Sequence, residues 1–231
     1  MAEKRTYSGY SKDSYIGDSV REQRNQSNHT YEARETLEEV NKYPILAVPF
    51  RGMTKEGAQA FGVRSSLSEK DGTTITASYF PYYNKQAELI GYKKRDWTLP
   101  KENDKHFQVV GDLKIILGLF GQQEYTKGCA KKLYICEGEE DAIALYSSLV
   151  DSLKGTKWSA YKPAVVSISM GTANAVEAIA HNDEFVKSFG EVVLAFDNDT
   201  ATPKEKKKGI MKGKEALEDV AGYLLTDNIF T

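Results

Sequence analysis

The sequence predicts an α/β protein, a parallel sheet with flanking helices in its C-terminal half preceded by a small α+β unit. Three observations carry this expectation. From Lys131 onward, strand-like and helical runs alternate, and such alternation implies right-handed β-α-β crossovers. Upstream, "TTITASYFPYY" and "QAELIGYKKRDW" read as two strands around a turn at Asn84 and Lys85. Finally, 231 residues with 40% hydrophobic content can bury a real core, enough for one large domain or two small ones.

Taken in order, residues 1–30 are polar, lack hydrophobic periodicity and read as a flexible leader. A charged helix is expected from about Tyr31 to Tyr43. "TKEGAQAFGV", at 54–63, reads as a short helix capped by Thr54 and closed by Gly62. The two strands follow and complete an N-terminal unit over 31–127. The second unit, 128–231, opens with the strand "KKLYICEG" and the amphipathic helix "EEDAIALYSSLVDSL". "PAVVSISMG" is a second strand, "TANAVEAIAHNDEFVKSF" one or two helices, "EVVLAFDND" a third strand and "GKEALEDVAGYLL" a last helix.

The net charge of −2 argues neither for nor against a nucleic-acid partner. No window resembles a signal peptide or an apolar span of about 18 residues, so a cytoplasmic protein is expected, with no membrane partner. Cys129 and Cys136 with three scattered histidines assemble no local four-ligand zinc site, and no zinc is expected.

Four carboxylates fall within five residues where the strand "LYIC" stops: Glu137, Glu139, Glu140 and Asp141. Acids in a first helical turn suit the helix macrodipole, which accounts for Glu139 and Glu140. Glu137 is different, because it lies at a strand's carboxyl end, where open α/β sheets bind their ligands. A later strand ends in "AFDND", whose Asp197 and Asp199 can turn both carboxylates toward one hard cation. Three strands thus deliver Glu137, Gly171 and the pair Asp197 and Asp199 to one edge. Magnesium takes oxygen ligands of this kind, usually one or two carboxylates plus substrate phosphate.

A glutamate and glycine after the first strand with Asp-x-Asp after a later one resembles the Toprim fold of bacterial-type primases, topoisomerases and some nucleases. "RGMTKEGAQAFGV", "GYKKRD", "KHFQVVG", "LFGQ", "EGEEDAIAL", "SISMGTANA", "NDEFVKSFGEVVLAFDND" and "GKEAL" occur in order over about residues 45–225. This set resembles the primase region of phage primase-helicases, whose relatives include the mitochondrial helicase Twinkle. The resemblance implies an α/β Toprim catalytic domain after an α+β primase subdomain, synthesising short RNA primers on single-stranded DNA from ribonucleoside triphosphates. It implies Mg²⁺ or Mn²⁺ held by Asp197 and Asp199, with Glu137 a further ligand or a general base. Lys93, Arg95 and Lys105 match basic positions facing the nucleotide or template, whereas Lys94 reads as a solvated strand charge. Gly171 would let backbone approach the site, or simply end its strand.

The sequence also departs from that family. Between Ala201 and Gly213 lies an insertion, "TPKEKKKGIMK". Its Lys204, Lys206, Lys207, Lys208 and Lys212, with Lys214 beyond, either follow a phosphate backbone or form a solvated loop. No G-x-x-x-x-G-K-[ST] loop is present, and a separately encoded helicase is the expected partner. With no cysteine before Cys129, no template-reading zinc module is expected, so priming without a defined start site follows. Thr231 comes soon after the helix that normally precedes another Toprim strand. The chain is therefore short of one strand, a fragment, or closed by "NIF". A Toprim nuclease and a non-catalytic DNA-binding accessory are the alternative functions.

Overall fold

The computed structural model describes residues 31–32, 35–100, 103–113, 118–169, 171–197 and 212–226. Strand β1 (Tyr31–Glu32) and helix α1 (Leu37–Asn41) come first. A 3-10 turn at Pro49–Arg51 leads into α2 (Lys55–Ala60). Strands β2 (Arg64–Leu67), β3 (Ile75–Tyr83), β4 (Leu89–Asp96) and β5 (Phe107–Gly111) follow. Then come β6 (Lys132–Cys136), α3 (Glu139–Leu153), β7 (Ala164–Ser167), α4 (Ala175–His181), α5 (Asp183–Val186), β8 (Glu191–Ala195) and α6 (Lys212–Thr226). Among the described residues no helix is long and apolar enough to cross a membrane.

Two sheets result. The first has order β1-β5-β4-β3-β2, antiparallel except where β1 pairs with β5, and the second is parallel with order β7-β6-β8. The alternation after Lys131 is therefore the parallel sheet it announces. Leu133 and Ile135 pack on one face of this sheet with α4 and α6, while Cys136 and Val165 face the other. Burial on both faces explains why these strands are continuous apolar runs.

Helix α3 covers that second face. Its buried residues Glu139, Ala142, Ile143, Tyr146 and Ser147 recur at the spacing of one helical stripe. Ala142, Ile143 and Tyr146 join a core that also takes in Phe61, Phe80 and Phe120, so a single hydrophobic cluster spans the space between the two sheets. Contact with α2 is close: a Cβ on Gly57 would lie 2.3 Å from Ser147 Oγ, and Thr54 Oγ1 donates to that oxygen at 3.0 Å. Thr54 also accepts from Gly57 N at 3.0 Å, as the N-cap reading requires. Gly62, at φ +66°, closes the helix.

Several local expectations need correction. The helix anticipated over 31–43 is confined to Leu37–Asn41, opened by a capping box between Thr36 and Glu39, because Tyr31 and Glu32 pair with β5. The turn between β3 and β4 spans Asn84 to Glu88, with Asn84 Oδ1 accepting from Gln86 N and Glu88 N at 2.9 Å each. Lys94 is not a solvated charge: its ammonium lies 2.6 Å from Glu35 and over the Tyr79 ring. Strands β2 and β5 carry no strong alternation, so the sequence does not announce them. The leader, Asp199, Lys204, Lys206, Lys207, Lys208 and "NIF" lie outside the described residues, as does the side chain of Lys212.

Candidate active site

Strand register builds the site. Cys136 is level with Ala195 on one side and Ser167 on the other, so Glu137 and Asp197 leave adjacent strands at nearly the same height. Adjacent strands lie about 4.8 Å apart, close enough for the two carboxylates to share one ligand. Gly213, in the first turn of α6, closes this corner. A Cβ there would lie 2.7 Å from the Asp197 carbonyl oxygen and 3.3 Å from Glu137 Oε2. Glycine is what lets the helix reach the acids.

Asp141 is a third acid at this corner. It occupies the third position of α3, where its carboxylate accepts from the Gly138 N–H and folds back over the helix start. Burial, and then the charge of Asp197, hold its carboxyl above the usual range. Burial and the same two aspartates push the Cys136 thiol up to about 12. Among the described residues, no group of three or more His, Cys, Asp and Glu side chains is placed to hold a metal ion. The oxygen donors of Glu137 and Asp197 nonetheless suit a hard cation that completes its shell with water and phosphate.

Beside the acids lies a cavity of about 300 Å³. The antiparallel sheet and its connections contribute Arg51, Arg95, His106 and Phe107, and the start of α3 contributes residues 138–141. Arg51 forms an ion pair with Glu140, whose carboxyl burial pushes up against the pull of Arg51 and Arg95. Arg95 is only 6% exposed, its guanidinium 5.3 Å from the Trp97 ring centre and 4.9 Å from that of Phe107. Gly52, left-handed at φ +69°, seats the preceding 3-10 turn on α3, where a Cβ would be 3.4 Å from Ala144.

Lys93 sits differently from a cation awaiting a ligand. Its ammonium is 2.9 and 3.0 Å from the two oxygens of Glu139, which is buried and also accepts from the Tyr82 hydroxyl. Lys105 is exposed in the 3-10 turn leading into β5. Gly171 is exposed at φ +78°, and a Cβ there would meet no described atom within 4 Å, so its backbone conformation rather than close approach accounts for the glycine. Lys214 is exposed on α6.

Of the residues expected from the sequence, the structure brings Glu137 and Asp197 together at this corner, and it places Asp141, Glu139, Arg51 and Gly213 beside them, which the sequence does not assign to the site. The helix-dipole reading of Glu139 conceals its partner, and Asp141, in the same turn, carries no local pattern that sets it apart from its neighbours. Arg51 and Gly213 both stand in quoted motifs, but no local pattern assigns them to the acids.

Two sheets sharing one core, with carboxylates at the parallel sheet's edge, are the architecture of the Toprim-containing primase fold. The chain is homologous to phage primase-helicases. Over 174 residues it is 28% identical to the DNA helicase/primase of Enterobacteria phage T3, a match covering 75% of this chain and 25% of that protein. The chain thus spans about a quarter of that relative's length. Its fold matches the primase fragment of the bacteriophage T7 primase-helicase with a TM-score of 0.57 at 24% identity, covering 84% of this chain and 66% of that one. It also matches, at TM-score 0.57 and 25% identity over 83% of this chain and 80% of the other, a T7 assembly. That assembly holds the lagging-strand DNA polymerase and primase domains of two gp4 subunits bound to an RNA/DNA hybrid and dTTP. No protein-family model matches the chain.

Proposed function

We propose that this chain is the catalytic core of a phage-type DNA primase, joining ribonucleotides into short primers on single-stranded DNA. The observation that carries it is the meeting of Glu137 and Asp197 at Gly213, beside a cavity that two arginines line. The likeness to the T3 and T7 proteins supports the same reading.

In this reading 31–127 is the α+β subdomain and 128–231 the catalytic one. Glu137, Asp197 and Asp199 hold Mg²⁺ or Mn²⁺. The bound ion would orient the triphosphate, offset its charge and activate the attacking 3′ oxygen. Arg51 and Arg95 present guanidinium groups to phosphate within the cavity, and Glu140 fixes the direction of Arg51. Lys105 faces nucleotide or template from the edge, and Gly171 shapes the neighbouring loop. Lys93 acts through Glu139, holding the start of α3 in place. The lysines at 204, 206, 207, 208, 212 and 214 follow the DNA backbone. Strand opening comes from a replicative helicase in the infected bacterial cell.

Purified protein incubated with single-stranded DNA, labelled ribonucleotides and Mg²⁺ tests the reading. Oligoribonucleotides are expected. Shortened DNA without them would assign a nuclease, and neither product a DNA-binding accessory.

A further inference from the structure

Phe50 is 61% exposed, the most open of the large apolar side chains among the described residues. Its turn does not need it for anchoring. Val48 and Met53, fully buried and bridged to each other, tie the turn to the core, and Gly52 seats it on α3. Phe50 is left outside, its ring edge-on to Trp97 with centres 5.2 Å apart. Trp97 is held in turn by its indole N–H, which donates to Ser78 Oγ at 3.0 Å. Arg51 and Arg95 lie 5.9 and 5.3 Å from the Trp97 ring centre, and both line the cavity beside the acids. Against two guanidinium groups that line the cavity thus stands an aromatic pair, with Glu140 offsetting one of the cations.

Fixed aromatic faces beside cations hold unpaired nucleobases through stacking, while the cations attend to the flanking phosphates. Stacking of this kind tolerates any base, since each has a π-face. We propose that Phe50, with Trp97 behind it, is a stacking platform for an unpaired base of single-stranded DNA entering the site, a proposal that rests on the primase reading above. The position favours a polymer over a lone nucleotide. Phe50 is not among the residues that line the cavity, so a base on its exposed ring lies outside the space the two arginines line, as a neighbouring base of a strand would.

Trp97 reports on the platform directly. Of the two tryptophans, Trp158 is removed by Trp158→Phe, and the remaining fluorescence is titrated with oligodeoxythymidylate and, separately, with a ribonucleoside triphosphate. The oligonucleotide should quench Trp97, and Phe50→Ala should weaken its binding about ten-fold while Phe50→Tyr retains it. Affinity for the triphosphate should be unchanged in Phe50→Ala. Because Phe50 is exposed, the circular dichroism and melting temperature of Phe50→Ala should match the parent. Oligonucleotide binding that ignores Phe50→Ala would overturn the platform, as would an equal loss for the triphosphate, which would assign the ring to the incoming nucleotide. The two readings fail separately. Phe50-dependent binding without primer synthesis refutes the primase, whereas primer synthesis with Phe50-independent binding refutes the platform.

Discussion

Lys93 of β4 and Glu139 of α3 form an ion pair at 2.9 Å that joins the antiparallel sheet to the helix whose start carries the acids. Glu139 is 4% exposed and accepts from Tyr82 of β3 as well, so two strands of one sheet hold the first residue of a helix packed on the other. Removing one partner leaves a buried charge without its counterion. Glu139→Gln should therefore cost about 2–3 kcal/mol in denaturant unfolding. Lys93→Met combined with Glu139→Leu should cost less than the sum of the single changes, by about 1 kcal/mol or more. Additivity within about 0.3 kcal/mol would mean that the pair contributes nothing as a pair.

Gly213→Ala places a methyl group 2.7 Å from the Asp197 carbonyl oxygen. Alanine is the better helix former by about 1 kcal/mol, but displacing backbone costs more, so a net loss of about 1–2 kcal/mol is expected together with loss of primer synthesis. Gly222 in the same helix supplies the control. A Cβ there meets no described atom within 4 Å, and Gly222→Ala should stabilise by about 0.5–1 kcal/mol. Equal behaviour of the two variants would show that Gly213 is not a point of contact.

Asp197 repels Asp141, and a bound divalent cation would remove that repulsion. Asp197→Asn should raise the melting temperature slightly in metal-free buffer and abolish primer synthesis. Magnesium at a hundred times its Kd should stabilise the parent by about 2.7 kcal/mol and the variant far less. An unchanged magnesium response in Asp197→Asn would remove this residue from the metal site.

Glu35 links α1 to the first sheet by accepting from Lys94 at 2.6 Å and Tyr79 at 2.7 Å. Burial by itself raises its carboxyl, but the hydrogen bonds from Lys94 and Tyr79 outweigh it and hold the group below its usual value. A depressed folded value means that the stabilisation is complete above the unfolded value, about 4.3, and is lost as pH falls through the folded one. Glu35→Gln should accordingly be less stable than the parent at pH 7, with the gap closing toward pH 3. A gap that is constant between pH 7 and pH 3 would assign the loss to packing rather than charge.

The β-α-β alternation, helix α3 from Glu139 to Leu153 and the Thr54 cap were legible in the sequence, as were Glu137 and Asp197 at strand ends. Strands β2 and β5 were not, because both lie among partly buried residues without a clean period of two. The acids after Gly138 were ambiguous for a different reason. A first-turn carboxylate serves the helix dipole whether it faces water, a lysine or a metal, so Glu139, Glu140 and Asp141 looked alike.

The sequence by itself determined what neighbours within a few residues determine: the period of the strongly patterned elements, the Thr54 cap and the level at which Glu137 leaves its strand. Tertiary structure alone decided that Glu139 pairs with Lys93, 46 positions away, that Glu140 holds Arg51, and that Gly213 abuts Asp197. Local sterics and hydrogen bonding fix periodicity from a short window. The partner of a charged side chain depends instead on which apolar faces bury against each other, and the core that joins these two sheets draws those faces from Val48 to Val165.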